Sequence, residues 1–143
     1  MTDFGQPVVI EIPATPLATR LIGPWVSCLL ELAYGEDVAA RLAGSIELAL
    51  VELATNISTH AYGDTENGRI RLEARAVATS LSVTVVDWGP EFDPDDIAEP
   101  EDVQVHGYGL MIIRQLADDF CSSRINDQNH WRLRFDTRDA GDA

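Results

Sequence analysis

The segment that most constrains the fold of this chain is a long amphipathic stretch that follows Gly35. Its apolar residues recur at helical spacing on a single stripe: Val38, Leu42, Ile46, Leu50, Leu53 and Ile57. Glu36 and Asp37 lie in the first turn, where negative charge complements the helix dipole, and Gly63 is a suitable C-terminal cap. The pattern predicts one helix that runs from after Gly35 to about Tyr62.

Shorter segments on both sides of this helix show strand or helix patterns. Asn67-Gly68 is a turn signal that leads into an antiparallel hairpin, and an earlier helix is interrupted at Gly23-Pro24. The predicted strands are residues 8–12, 70–77, 81–86, 120–125 and 131–135, and the other predicted helices are residues 17–34 and 110–116.

The stretch from Asp87 to Asp102 differs in composition from the rest of the chain. It contains eight acidic residues, three prolines and no basic residue. Such a composition predicts a long irregular segment or a flexible lid. The predicted order of elements is therefore β-α-α-β-β-lid-α-β-β.

Length and charge limit both the organisation of the chain and its partners. A chain of 143 residues, 45% of them hydrophobic, predicts a single domain, with its core at about residues 8–136 and an acidic tail at 137–143. The formal net charge of −14 argues against binding of DNA or RNA. All ten basic residues are arginines, and the lack of lysine excludes a P-loop NTPase.

The sequence indicates neither a membrane helix nor a secretory signal. Its longest apolar stretches are interrupted by polar residues, and its N-terminus lacks a basic segment followed by an apolar one. We therefore expect a cytoplasmic protein. Cys28 and Cys121 lie far apart and outside any Cys/His cluster, so we expect buried free thiols rather than a disulfide or a zinc site.

Three polar motifs fall at the edges of the predicted elements, and the first is on the long helix. A spacing of four residues places Glu52, Asn56 and His60 on one face, opposite Leu50 and Leu53 of the apolar stripe. An amide oxygen can ligate Mg²⁺, and a carboxylate one turn away can orient or deprotonate a nucleophile. An ordinary polar helix face has the same pattern, and packing or capping is the expected role of His60.

The second motif is an acid and a glycine directly after a hydrophobic strand. Asp87 can accept a hydrogen bond from an adenine amino group, and Gly89 lets a base approach the backbone because it has no side chain. Trp88 would then lie close to a bound adenine, although core or rim packing is the ordinary role of a tryptophan. A simple turn after the strand would also have this sequence.

The third motif is the glycine-rich turn Gly107-Tyr108-Gly109, which leads directly into the helix at Leu110. Free backbone N–H groups at a helix start, together with the helix dipole, form an anion site suited to phosphates. Each motif alone is weak. Their order along the chain, each at the appropriate element, is the informative feature.

Together the three motifs resemble those of the GHKL, or Bergerat-fold, ATPases. The N box of that superfamily corresponds to Glu52–Tyr62, its first glycine box to Asp87–Phe92 and its second to Gly107–Leu110. Within the superfamily the chain is most similar to the anti-sigma-factor serine/threonine kinases, which share its compact size, the H-A-Y that ends the N box and the F-D-P after the first glycine box. The similarity runs from about Val8 to Phe135.

This resemblance implies a fold and a set of residue roles. The fold would be a two-layer α/β sandwich of the Bergerat type, with a mixed sheet covered by helices on one face and ATP bound between the layers. Glu52 would be the general base, and Asn56 would ligate Mg²⁺. The implied nucleotide-binding residues are Asn56, Asp87, Gly89, Phe92, Gly107, Tyr108, Gly109 and Leu110.

The resemblance also implies partners. The protein would phosphorylate an anti-sigma-factor antagonist, bind a sigma factor as its alternative partner, and form a homodimer through its first strand and first helix. It departs from the family pattern at Glu91, at His106 and at Asn129-His130, where relatives often carry glycine, arginine and threonine. These departures leave open a catalytically weak or inactive nucleotide-binding module that regulates its partner by occupancy. A piece of a larger phosphatase-linked signalling protein is a third alternative.

Overall fold

A computed structural model describes residues 3–60, 62, 68–91 and 109–138 of the chain. Within these ranges the elements are β1 Val8–Pro13, a 3-10 turn at Ala18–Leu21, α1 Ile22–Tyr34, α2 Glu36–His60, β2 Arg69–Ala76, β3 Ser80–Asp87, α3 Gly109–Leu116, β4 Asp119–Ile125 and β5 Gln128–Asp136. This order confirms the prediction for the strands and helices. The predicted cap at Gly63 and most of the predicted lid lie outside the described residues.

The strands form one sheet in the order β1-β2-β3-β5-β4. The predicted two-layer α/β sandwich is confirmed, but the sheet is antiparallel in all four pairings rather than mixed. The β2–β3 and β4–β5 pairs are antiparallel because short hairpins join their strands. No parallel crossover unit joins the described strands.

The core lies between the sheet and the helices. Alternate strand residues point to the helical layer, as a pleated strand requires, and are almost completely buried: Ile70, Leu72, Ala74, Leu81, Val83, Val85, Leu133 and Phe135. From the other layer, α2 contributes a stripe that includes Ile46, Leu50 and Leu53. Trp131 of β5 is only 1% exposed and stacks on Phe120 of β4, with ring centroids 6.4 Å apart.

The first helix differs from its prediction at Gly23-Pro24. The chain changes there from the 3-10 turn into α1, and Pro24 lies in the first turn of α1 rather than at a break. A proline is tolerated in that turn because its missing N–H has no intrahelical acceptor. As predicted, Gly35 ends the helix, with a φ of 95° that favours glycine.

The closing hairpin is tighter than predicted. Asn126 and Asp127 have φ angles of 50° and 63°, the conformation of a two-residue type I′ turn. Gln128 to His130 therefore belong to β5 rather than to the connection. After the end of β5, the Thr137 carbonyl accepts a hydrogen bond from Arg41 of α2 at 2.6 Å. Thr137 therefore packs against the domain, although the sequence assigned it to the acidic tail.

The two cysteines are exposed, contrary to the expectation of buried thiols. Cys28 lies on the outer side of α1, and Cys121 lies on the edge strand β4, on the face away from the helices. Both are free. None of the helices in the described ranges is long and apolar enough to cross a membrane.

Gly44 offers a direct test of the long helix. It is exposed in the middle of α2, and a Cβ built there would meet no atom within 4 Å. Gly44→Ala should raise the free energy of unfolding by about 0.5–1 kcal/mol, because glycine loses more backbone entropy in a helix than alanine. Urea denaturation followed by circular dichroism measures this change. The control is Gly35→Ala, where the positive φ is strained for alanine and stability should fall. A Gly44→Ala variant less stable than the wild type would contradict the assignment of α2.

Candidate functional site

A completely buried carboxylate lies at the centre of the site. Asp87 is the last residue of β3 and is 0% exposed. Its Oδ1 accepts hydrogen bonds from the Gly89 backbone N–H at 2.9 Å and from Asn129 Nδ2 at 2.8 Å. Its Oδ2 accepts a hydrogen bond from Trp131 Nε1 at 2.8 Å. These three donors stabilise a charge whose burial would otherwise be unfavourable.

The register of the sheet explains why these donors meet at Asp87. Asn129 of β5 is directly paired with Asp87 of β3, and Trp131 lies two residues further along the same face of β5. A carboxylate has about four acceptor positions, and described residues fill two on Oδ1 and one on Oδ2. One acceptor position on Oδ2 is therefore left unfilled by the described residues.

Arg124 connects the edge strand to the turn after Asp87. Its Nη1 donates to Asn129 Oδ1 at 2.9 Å and to the Gly89 carbonyl at 3.2 Å. Asn129 Nδ2 lies within 3.2 Å of the carbonyls of both Gly89 and Pro90. The turn that follows β3 is thus held from the side of β4 and β5 by two polar side chains.

Tyr62 holds the same turn from the side of α2. Its hydroxyl accepts a hydrogen bond from the Trp88 backbone N–H at 2.8 Å and donates one to the Arg69 carbonyl at 2.7 Å. Burial raises the pKa of this hydroxyl above its ordinary value, and the negative charge of Asp87 acts in the same direction. The hydroxyl therefore keeps the proton that it donates to Arg69.

The side chain of Trp88 lies on the open face of the sheet, contrary to the expectation that it approaches an adenine held by Asp87. Its ring packs under the guanidinium of Arg71, with Arg71 Cζ 5.4 Å from the ring centroid. Together with Glu11, Tyr62 and Arg69, it lines a cleft of about 300 Å³. Because side chains alternate along a strand and its extension, Asp87 and Trp88 point to opposite faces.

The motif on α2 lies deeper than its sequence pattern indicates. Asn56 is only 6% exposed, although the pattern places it on a polar face opposite the core. Its Nδ2 has no hydrogen-bond partner among the described residues. Glu52, one turn earlier, is partly buried, whereas His60 is exposed in the last turn of α2, a position that suits the predicted capping rather than packing in the core.

The remaining predicted residues fall on both sides of a gap in the described chain. Gly109 is the first residue of α3, and Leu110 packs against the core from the same turn. Glu91 is exposed after the turn that follows β3. Phe92, Gly107 and Tyr108 lie outside the described residues, so the structure does not test their predicted contacts with a nucleotide.

Tyr62, Arg124 and Trp131 were not assigned to the site from the sequence. Asn-Asp at 126–127 is a turn signal, and placing the hairpin there would have paired Arg124 with Asn129. The pairing of Asn129 with Asp87, which brings Trp131 and Arg124 to the carboxylate, depends on the register of β3 with β5 and has no local signal. Likewise, no local signal identifies the contact between Tyr62 and the Trp88 backbone, because that contact depends on how α2 packs on the sheet.

Residues 12–135 match the family of histidine kinase-like ATPase domains. The match covers most of the chain, and the matched region contains the buried Asp87, the Gly89 turn and the Glu52/Asn56 pair. The protein therefore belongs to the histidine kinase-like ATPase domain family.

Its relatives within this family are protein serine/threonine kinases. The chain is 30% identical over 131 residues to the serine-protein kinase RsbW of Oceanobacillus iheyensis, a match that covers 85% of this chain and 79% of the relative. It is 33% identical over 129 residues to the RsbW of Listeria monocytogenes, covering 83% and 80%. It is also 27% identical to the serine/threonine-protein kinase BtrW of Bordetella bronchiseptica, covering 93% and 94%. The resemblance found in the motifs is confirmed.

Solved structures agree on the fold. The RsbU and RsbW domains of a Mycobacterium tuberculosis protein superpose with a TM-score of 0.61 at 19% identity, over 92% of this chain and 35% of that one. The catalytic domain of the histidine kinase ThkA superposes with a TM-score of 0.53 at 15% identity, over 91% of this chain and 97% of that one. At these identities the likeness establishes a histidine-kinase-like, or Bergerat, fold.

The contact between Gly68 and Tyr62 can be tested by a double-mutant cycle. A Cβ on Gly68 would lie 2.5 Å from the Tyr62 ring, which is fixed through its hydroxyl. Gly68→Ala should lower the free energy of unfolding by about 1–3 kcal/mol, because the ring must move. In a Tyr62→Ala background the same change should cost little, since the space is then free. Urea denaturation of the four proteins measures the coupling, and an equal cost in both backgrounds would show that the ring contact is unimportant.

Proposed function

We propose that this protein is an ATP- and Mg²⁺-dependent protein serine/threonine kinase that acts as an anti-sigma factor in the cytoplasm. The observation that carries the proposal is the buried Asp87 carboxylate, whose Oδ2 has an acceptor position that no described residue fills. The serine-protein kinase names of the relatives support the same activity. The proposed mechanism uses residues near the C-terminal ends of α2 and β3.

Asp87 would recognise the adenine base. A carboxylate that accepts hydrogen bonds from Gly89, Asn129 and Trp131 is fixed in orientation before a ligand arrives. The amino group of adenine is an N–H donor and suits the remaining acceptor position. Gly89 has no side chain to block the approach of the base, and its backbone N–H is already engaged with Asp87.

Asn56 would ligate Mg²⁺ that arrives with the phosphates of ATP. The ligand would be the oxygen of the buried Asn56 amide, and its Nδ2, which has no partner among the described residues, would donate a hydrogen bond to a phosphate. Within the described ranges no group of three or more His, Cys, Asp or Glu side chains could hold a metal. A nucleotide-linked Mg²⁺ does not need such a group, because phosphates and water complete its octahedron. When bound, the ion would neutralise charge on the transferred phosphoryl group.

Glu52 would act on the substrate hydroxyl. It lies one helical turn before Asn56, so its carboxylate and the amide project from the same side of α2. From this position it can accept the proton of a serine or threonine hydroxyl, or orient that hydroxyl towards the phosphoryl group. The backbone N–H groups at the start of α3, which begins at Gly109, would bind the phosphates.

The proposed partners are an anti-sigma-factor antagonist as substrate and a sigma factor as the alternative partner. We also propose a homodimer formed through β1 and α1. Large apolar side chains are exposed on these elements and on the turn between them: Val9 is 46% exposed, Leu17 71%, Leu21 56% and Leu32 60%. An interface between two copies would cover such exposed apolar side chains.

Two substitutions on α2 separate catalysis from nucleotide binding. Asn56→Ala should weaken binding of ATP with Mg²⁺ by at least about tenfold, because one charge-assisted contact is worth about 1.5–3 kcal/mol. Glu52→Gln should leave binding nearly unchanged but slow phosphorylation of a purified antagonist by about 10²- to 10⁴-fold, since it removes the base. Calorimetric titration measures the binding, and transfer of labelled phosphate from ATP measures the reaction.

Matched controls lie on the same helix. Thr55→Ala and Glu47→Gln make equivalent changes at exposed positions and should alter neither binding nor transfer. Full phosphorylation by Glu52→Gln would disprove its role as the base. Partner binding that persists without ATP and survives Asn56→Ala would instead favour an inactive module that acts by occupancy.

A further inference from the structure

We propose that Arg124 is a positioning residue that sets the selectivity of Asp87 for a 6-aminopurine, acting through Asn129. The inference rests on the proposed function, because it assumes that Asp87 binds the base of a nucleotide. Arg124 belongs to the edge strand β4, and Asn129 belongs to β5. The two residues are directly paired in the hairpin and point to the helical side of the sheet with Asp87.

The chemistry of Arg124 fixes the orientation of the Asn129 amide. A guanidinium can only donate hydrogen bonds, so the Asn129 atom 2.9 Å from Arg124 must be the amide oxygen. The amide nitrogen is then directed to Asp87 Oδ1, at 2.8 Å. Without Arg124 only the acceptors on the nitrogen side, Asp87 Oδ1 and the carbonyls of Gly89 and Pro90, would hold the amide, and its oxygen would lose its partner. The amide that orients the carboxylate would then be held from one side only.

Arg124 also fixes the backbone beside the proposed base site. Its Nη1 reaches the Gly89 carbonyl at 3.2 Å, and Asn129 Nδ2 reaches the same carbonyl at 3.2 Å. The outward ion pair of Arg124 is weaker, since its Nη2 lies 3.9 Å from a carboxylate oxygen of Asp127, a fully exposed side chain. The inward hydrogen bonds are therefore the main contacts of this arginine.

The consequence of this arrangement is selectivity at position 6 of the purine. An ionised Asp87 held by donors on both oxygens can only accept a further hydrogen bond. The amino group of adenine donates to it, whereas the carbonyl of hypoxanthine is an acceptor and would face the carboxylate unfavourably. A site built to pair with one polar group discriminates strongly against a ligand that lacks it.

The experiment compares ATP with inosine triphosphate, which replaces the 6-amino group with a carbonyl. Calorimetric titration of wild type, Arg124→Met, Arg124→Lys and Asn129→Asp with each nucleotide gives four affinity ratios. For Arg124→Met we expect ATP binding to weaken about tenfold and inosine triphosphate binding to change less than about threefold. Arg124→Lys keeps a positively charged donor, so its loss of ATP affinity should be intermediate. Asn129→Asp should lose the most ATP affinity, because two carboxylates then face each other.

The matched control is Arg132→Met. Arg132 lies on β5, is exposed, and points to the open face of the sheet, so its loss removes the same charge without touching Asp87. It should leave both affinities at the wild-type values. A purely structural role for Arg124 would weaken the binding of both nucleotides equally. A general charge effect would also weaken both, by an amount that depends on the salt concentration.

The two proposals fail in different ways. An unchanged ratio of the two affinities in Arg124→Met and Arg124→Lys, with ATP still bound by the wild type, would overturn the positioning role and leave the kinase proposal intact. A wild-type protein that binds neither nucleotide would overturn the proposed function and the positioning role together. A ratio that falls strongly in Arg124→Met, falls less in Arg124→Lys and is unchanged in Arg132→Met would support the inference.

Discussion

The buried carboxylate of Asp87 is the interaction on which the organisation of the site depends. Moving an isolated carboxylate out of water costs several kcal/mol, so a chain can retain one only where donors surround it. Here the donors come from the following turn and from two residues of β5. These donors must converge on one residue. A shift of β3 against β5 by even one position would therefore leave Asp87 buried without its hydrogen-bond donors.

Tyr62 extends this constraint to the helical layer. Its hydroxyl connects the start of β2 with the residue after Asp87, and its backbone N–H bonds the Ile57 carbonyl in the last turns of α2. The end of α2, which contains Asn56, is thereby fixed relative to the turn that follows β3. In the proposed function these two segments bind opposite ends of one nucleotide, so the tyrosine sets the distance between the base site and the metal site.

The sequence predicts the elements of this fold better than their contacts. Helical spacing located α2, and alternation located the hairpin of β2 and β3, because both patterns result from burial of one face. The antiparallel hairpin of β2 and β3 was predicted, but the sheet as a whole was expected to be mixed, since the order and direction of the other strands depend on packing between distant segments. Asn56 was assigned to the right motif but to the wrong environment. A period of four places residues on one side of a helix and cannot show that a neighbouring element covers it.

The hydrogen bonds to Asp87 also bear on one of the departures from the family pattern. Asn129-His130 stands where the motif resemblance leads us to expect a threonine, and Asn129 donates to Asp87 at 2.8 Å, so the chain has a donor beside the carboxylate. What an asparagine adds is a second polar atom, and Arg124 uses it. A hydroxyl can rotate to suit either neighbour, whereas an amide must present its oxygen and its nitrogen in opposite directions. An asparagine therefore gives an oriented contact, and the oxygen of its amide pairs with Arg124. In a chain with a net charge of −14, that arginine also places a positive charge beside the proposed site of a polyanionic ligand.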